Sequence, residues 1–408
     1  MKRSIKTPIA FSLFVVLSLW LAATAPAGTT LFSFNAGNEL FEVPDFEIPV
    51  AGAGWLIFSL LGLATAASWF LALKRKKTPL WVTGLFAFAF VQQLLVLIFV
   101  GEMFPVTTTL QGSLALAVPL IFGSLAGVLS ERVGVINIAI EGQLLAGAFA
   151  SAMVTSITHS LTAGLIAAAI AGSLIAGILA VFAIKYVVDQ IIVGVVVNVL
   201  VIGLTSFLYS TVMTRDLVAL NQPERFDQID IPLLSQIPIL GPLLFSQTLI
   251  VYLMYIAVAV VYVALFKTRW GLRVRAVGEY PKAADTVGIK VYRTRYMSVM
   301  LGGALAGIGG AFFTLGAVGS FSKEMTAGAG YIALAALIFG RWNPIYAALA
   351  ALLFGFAENL RQLLGVVGSD VPSEFLEMLP FALTVLAVAG LVGKVTGPAA
   401  AGKAYIKS

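Results

Sequence analysis

Apolar residues along this chain come in runs too long and too continuous for one face of a soluble helix. Stretches of spanning length fall at about 8–26, 51–73, 80–101, 108–129, 134–157, 161–184, 188–213, 247–266, 296–317, 327–340, 344–366 and 376–393. About twenty consecutive apolar residues carry an α-helix across the hydrocarbon core of a bilayer, where each backbone amide must be paired within the element itself. The pattern predicts an all-α, polytopic integral membrane protein. The run at 327–340 is short, and the one from 134 is broken by glycine and polar residues. Ten to twelve transmembrane helices are therefore expected.

Composition agrees. Of 408 residues, 60% are hydrophobic and 11% charged, and the mean hydropathy is +1.00. A soluble domain carries about a quarter charged residues, so these charges are too few to cover a water-facing surface. The 39 glycines fit the same picture, because small residues let membrane helices approach closely.

Charge changes the picture by its placement. Lys2, Arg3 and Lys6 precede the first run, and Lys74, Arg75, Lys76 and Lys77 follow the second. Arg132, Lys185, Arg341, Lys394, Lys403 and Lys407 follow later runs, and the 267–295 loop adds Arg269, Arg273, Arg275, Lys282, Lys290 and Arg293. With twelve alternating spans all of these fall on one side. The opposite side receives the segment 26–50, with Glu39, Glu42, Asp45 and Glu47 and no Lys or Arg, and the long 214–246 loop. The positive-inside rule then puts both termini in the cytoplasm. Basic residues gathered at the ends of apolar runs also explain the net charge of +6 without nucleic acid. The first run, ending near Ala23-Thr24-Ala25, resembles a secretory signal; its retention as a helix is the expectation. Residues 1–106 read as accessory helices with an acidic external loop, 107–395 as the core, and 396–408 as a cytoplasmic tail.

Little is available for chemistry. There is no cysteine and one histidine, His159, which excludes thiolate nucleophiles and histidine metal clusters; no metal site is expected. No GxxxxGK[ST] occurs, so the chain has no P-loop with which to hydrolyse ATP, and it is not expected to be an enzyme. Ionisable residues inside apolar runs are costly and so are candidates for function. Glu141 lies in Gly134-Val135-Ile136-Asn137-Ile138-Ala139-Ile140-Glu141-Gly142-Gln143, where Asn137, Glu141 and Gln143 offer hydrogen bonds to a polar solute. The competing reading has Glu141 pairing with Arg132 or capping a backbone end at a helix break. Glu358, Asn359, Arg361 and Gln362 form a second polar cluster. Glu358 and Arg361 stand at i, i+3 and can neutralise each other, although Glu358 and Asn359 also qualify as pathway residues. Gly303 and Gly307, like Gly123 and Gly127, have GxxxG spacing and predict tight helix packing. Phe312, Phe313 and Phe321 are a weaker signal for stacking on a nucleobase.

One basic loop is patterned beyond the needs of a connector, running from Gly271 to Ile289. Pro281 suits the first turn of a helix and Gly288 its end, giving a short charged helix of about two turns. Such a helix suits docking to a soluble partner; a basic loop at anionic lipid headgroups is the alternative. Arg275 to Ile289 follows R-A-x-G-x-x-P-x-A-A-x-x-x-G-I, and Glu131-Arg132-Val133-Gly134-Val135-Ile136-Asn137-Ile138-Ala139-Ile140-Glu141-Gly142 precedes it in the core. Together these resemble the branched-chain amino acid, ribose and nucleoside class of ABC-transporter permeases, and most of all its nucleoside and simple-sugar branch. Tyr280 stands where that class has asparagine. The resemblance spans roughly 107–395.

The resemblance implies a bacterial cytoplasmic-membrane importer of nucleosides or simple sugars. It implies a second, related permease chain, cytoplasmic ABC ATPase subunits, an external solute-binding protein and contact with membrane lipid. It implies no cofactor on this chain, with ATP used by the partner. It also implies that Arg275, Ala276, Gly278, Glu279, Pro281, Ala283, Ala284, Asp285 and Gly288 couple the permease to that ATPase. Three alternatives stand beside it. One is a secondary transporter with Glu141 and Glu358 as ion sites, and another is a scaffold without transport. The third is the same ABC mechanism acting on ribose-like sugars or branched-chain amino acids.

Overall fold

Helices form where the apolar runs lie. In the computed structural model, which describes residues 5–37, 39–367 and 397–407, they are α1 (Lys6–Ala23), α2 (Val50–Leu73), α3 (Leu80–Ile98), α4 (Val106–Arg132), α5 (Ile140–Thr158), α6 (Leu161–Ala180) and α7 (Gln190–Thr211). After the four-residue α8 (Leu217–Leu220) come α9 (Leu249–Lys267), α10 (Arg269–Glu279), α11 (Pro281–Thr286), α12 (Val291–Ala311), α13 (Ala329–Phe339) and α14 (Pro344–Val367). Among the described residues, ten helices are long and apolar enough to cross a membrane, and α13 is a shorter apolar helix. The expected run at 376–393 lies outside the described residues.

The core sits around α4. In α4 83% of the most apolar window is buried, against 22% in α1 and in α2, so α4 is the helix the others wrap. It packs on α12, α13 and α14. The GxxxG expectation for α12 holds in atomic terms. A Cβ at Gly172 would meet the Gly303 carbonyl oxygen at 2.1 Å, and one at Gly307 would meet that of Ala168 at 2.0 Å. The α6 and α12 backbones touch directly, and any side chain at these crossings would push the helices apart.

Two helices end in ways that shape the site. At the end of α4 the Gly134 amide donates to the Glu131 carbonyl at 2.9 Å and the Val135 amide to that of Ser130 at 3.0 Å. Gly134 has φ of +89°, so this is a Schellman turn closed by the residue best able to adopt it. The expected run from 134 is therefore not helical at first; α5 begins only at Ile140. His159 ends α5 in the left-handed region and is exposed, which gives it a local structural role.

Small sheets decorate the helical bundle. β1 (Thr29–Ser33) pairs with β2 (Phe46–Pro49) and with β3 (Met103–Pro105), and Phe32, Phe99 and Phe104 pack against Leu364 of α14. This aromatic contact ties α1–α3 to the rest. The 214–246 stretch is more ordered than a loop: it holds α8, β4 (Gln228–Asp230) and a π-helical turn at Gly241–Phe245. β4 then pairs with β5 (Ser246–Thr248).

Candidate functional site

The broken segment 133–139 and the first turn of α5 gather the polar residues of the core. Asn137 and Gln143 are fully buried and bond to each other through both amide groups, at 3.2 Å and 3.1 Å, and Asn137 Nδ2 also reaches Ser130 Oγ at 3.3 Å. Glu141 does not pair with Arg132. Its Oε1 accepts from Thr326 Oγ1 at 2.6 Å and the Gly328 amide at 2.9 Å, and its Oε2 accepts from the Gly330 amide at 2.6 Å. The carboxylate thus caps the start of α13, where unpaired amides and the positive end of the helix dipole favour an anion. Gly330 permits the approach, since a Cβ there would lie 2.3 Å from the Glu141 amide nitrogen.

Asn198 of α7 completes this arrangement. Its Oδ1 accepts from the Gly142 amide at 2.9 Å; its Nδ2 donates to the Ile138 carbonyl at 2.9 Å and to the Tyr331 hydroxyl at 3.2 Å. The break between α4 and α5 is thereby fixed from α7 and α13. The three residues expected to offer bonds to a solute, Asn137, Glu141 and Gln143, are all turned inward and engaged with the protein. Tyr331, exposed on α13, was not singled out by sequence, because one tyrosine in an apolar run carries no motif.

The second polar cluster is also internally paired. Arg361 Nε donates to Glu358 Oε2 at 3.0 Å, and a further Arg361 nitrogen reaches the same carboxylate, as the i, i+3 spacing leads one to expect. Asn359 Nδ2 donates to the Thr109 carbonyl at 2.6 Å, joining α14 to α4. Phe312 and Phe321 are buried, the latter against Phe149 and Tyr209, so they serve core packing. Among the described residues, no group of three or more acidic or histidine side chains is placed to hold a metal.

The patterned basic loop folds as two helices, where one of about two turns was expected. α10 takes Arg269–Glu279, with Thr268 Oγ1 capping it through the Gly271 amide at 3.1 Å. α11 takes Pro281–Thr286, with Pro281 in its first turn and Gly288 beyond its end at φ +83°. The split falls at Tyr280, because proline disfavours helical backbone in the residue before it. Gly278 is buried where α10 crosses the end of α4, and a Cβ there would stand 2.0 Å from the Arg132 carbonyl oxygen. Arg275 and Arg132 share the ring of Phe266, at 5.3 Å and 5.5 Å from its centroid. Ala276 and Ala284 face the bundle, and Ala283 faces out. The outer surface carries three apolar tips, Leu272, Tyr280 and Val287, at 61%, 63% and 75% exposure. Apolar side chains on a charged helix pair invite a protein partner.

The Glu131–Gly142 segment and the α10–α11 pair therefore meet at Gly278 and Arg132. A family model described as "Branched-chain amino acid transport system / permease component" matches residues 109–388, a stretch that contains both. The chain belongs to this permease family. It is 41% identical over 310 residues to the guanosine ABC transporter permease protein NupQ of Bacillus subtilis, covering 72% of this chain and 95% of that one. It is 39% identical over 299 residues to the nucleoside ABC transporter permease protein NupC of Lactococcus lactis, covering 71% and 94%. A shorter match, 30% over 141 residues and 34% of this permease, is to the nucleoside ABC transporter permease protein NupB of the same Lactococcus strain, covering 38% of that chain. No solved structure matches the permease. Its α1–α3 lie before the matched residues.

Proposed function

We propose that this permease imports nucleosides across the bacterial cytoplasmic membrane as the spanning subunit of an ABC transporter, with ATP hydrolysed by a separate subunit docked on α10–α11. The observation that carries the reading is the identity of about two residues in five to NupQ and NupC over nearly their whole lengths. Both termini and the α10–α11 surface lie in the cytoplasm in this reading, as the basic loops require. Arg275, Ala276, Gly278, Glu279, Pro281, Ala283, Ala284, Asp285 and Gly288 form the coupling segment. Leu272, Tyr280 and Val287 supply its apolar contacts. A second, related permease and an external solute-binding protein complete the assembly; NupC and NupB, two nucleoside permeases of one strain, support the mixed pair.

Glu141 and Glu358 argue against an ion-driven transporter. Each has its oxygens held by internal donors, which leaves neither carboxylate poised as a proton or sodium site. Alternation between two packed states, driven by closure of the ATPase pair, supplies the transport step instead. Uptake of labelled guanosine, ribose and leucine in cells with the permease intact or deleted tests this, with ATP and the proton gradient varied separately. Guanosine uptake lost on deletion and following ATP is the expected result. Uptake that follows the gradient at constant ATP defeats it.

A further inference from the structure

The segment after the last apolar run, residues 397–407, follows no helix or strand yet is closely held. It crosses three elements in a few residues. The Ala400 amide donates to the Gly278 carbonyl of α10 at 2.9 Å, and the Ala399 amide to Glu279 Oε2 at 3.3 Å. The Gly402 amide donates to the Gly134 carbonyl at 3.3 Å, on the turn that ends α4. Both terminal nitrogens of Arg295 on α12 reach the Lys403 carbonyl at 3.4 Å. The Tyr292 hydroxyl donates to the Tyr405 carbonyl at 3.3 Å, and the two rings lie 5.4 Å apart.

Two side chains make this more than a surface drape. Arg295 is 1% exposed, its Nε has no partner, and no carboxylate pairs with it among the described residues. The Lys403 carbonyl is therefore the acceptor for a buried guanidinium, and stripping it away leaves a desolvated charge uncompensated. Tyr405 is 5% exposed, with its phenol facing the Asp285 carboxylate of α11. Burial and then that carboxylate hold the phenol above its ordinary pKa, so it stays neutral and able to donate. Gly278, already pressed on the Arg132 carbonyl, is also held by the Ala400 amide.

We propose that residues 397–407 clasp α10–α11 to the Gly134 turn and α12, with Arg295 and Tyr405 as positioning residues that pass movement of the coupling segment into the broken start of α5. The inference rests on the reading that an ATPase docks on α10–α11. Without the clasp, α10–α11 can follow the ATPase while the Gly134 turn lags behind, and hydrolysis proceeds without transport. The apolar tips that meet the partner are untouched, so the ATPase stays bound.

The test uses the whole transporter reconstituted in liposomes, with guanosine uptake and ATP hydrolysis measured together for Tyr405→Ala, Tyr405→Phe and a chain ending after Pro398. Tyr405→Ala and the truncation are expected to lower guanosine moved per ATP about tenfold, the range by which residues on a coupling route alter it. Tyr405→Phe, which keeps the ring on Tyr292 but loses the donor to Asp285, is expected to recover part of that ratio. The ATPase co-purifies in equal amount with every variant. An unchanged ratio overturns the proposal, as does uptake that falls only in proportion to the amount of folded transporter. Uptake by the unaltered transporter that ignores ATP condemns the docking reading instead, and is seen in the control arm before any variant is compared.

Discussion

At Glu141 three donors from one short stretch, Thr326, Gly328 and Gly330, converge on two carboxylate oxygens. Glu141→Ala removes both acceptor oxygens from a buried helix start and strands all three donors. It is expected to cost about 1–3 kcal/mol for each donor left unsatisfied, read as a lower thermal midpoint of the purified permease. Glu141→Gln keeps one carbonyl acceptor but turns an amide group toward a remaining donor, so an intermediate loss is expected. Uptake should decline with the melting point in both variants. Loss of uptake in Glu141→Gln at an unaltered melting point would mean that the carboxylate meets solute. Sequence marked Glu141 as exceptional, since a charge in an apolar run needs a reason, but not its partners, which lie 185 to 189 residues away. Asn137 and Gln143 were legible as a pair only in their proximity; that they satisfy each other emerges from the broken backbone between them.

The elements were the most legible part, because the bilayer imposes one length on them. Every described apolar run holds a helix, with 134–139 left unwound, and the i, i+3 pair on α14 formed as spaced. The α10–α11 split was partly legible, through Pro281 and Gly288, whereas the preceding α10 was not: Arg269, Arg273 and Arg275 read as loop charges until their apolar neighbours Val274 and Val277 are seen buried. Helix contacts give a sharp contrast on α6. Gly172→Val puts a side chain where the Gly303 carbonyl already stands and is expected to cost at least about 1–3 kcal/mol by overpacking, seen as reduced yield of monodisperse permease. Gly177→Val, where an added Cβ meets nothing within 4 Å, is expected to leave yield unaltered. Equal effects at the two positions would refute direct backbone contact between α6 and α12. At the contact end of α10, Gly278→Ala presses on Arg132 in the same manner, and the expected defect is reduced transport per ATP.

For the whole molecule, orientation is the property that runs of charge predict and helix packing does not supply. A chain without cysteine is a ready background for testing it. Val287→Cys and Leu40→Cys place single thiols at exposed positions, just past the end of α11 and on the acidic segment between β1 and β2. A membrane-impermeant maleimide is expected to label Leu40→Cys in intact cells and Val287→Cys only after permeabilisation. The reverse pattern inverts the topology and removes α10–α11 from the reach of any cytoplasmic ATPase. The tail reads from the sequence as a plain extension, and its hold on the core was not legible because it is made largely by backbone groups. Carbonyls such as those at Lys403 and Tyr405 are common to all residue types, and amides such as those at Ala399, Ala400 and Gly402 to all but proline. Such a segment is specified by its length more than by its spelling. Substitutions at Ala401 or Lys403 should pass almost unnoticed, while one residue inserted between Ala400 and Tyr405 throws the ring out of its seat. Among descendants of this chain, the tail is then free to drift in letters, Gly402 and Tyr405 aside, and bound to keep its count.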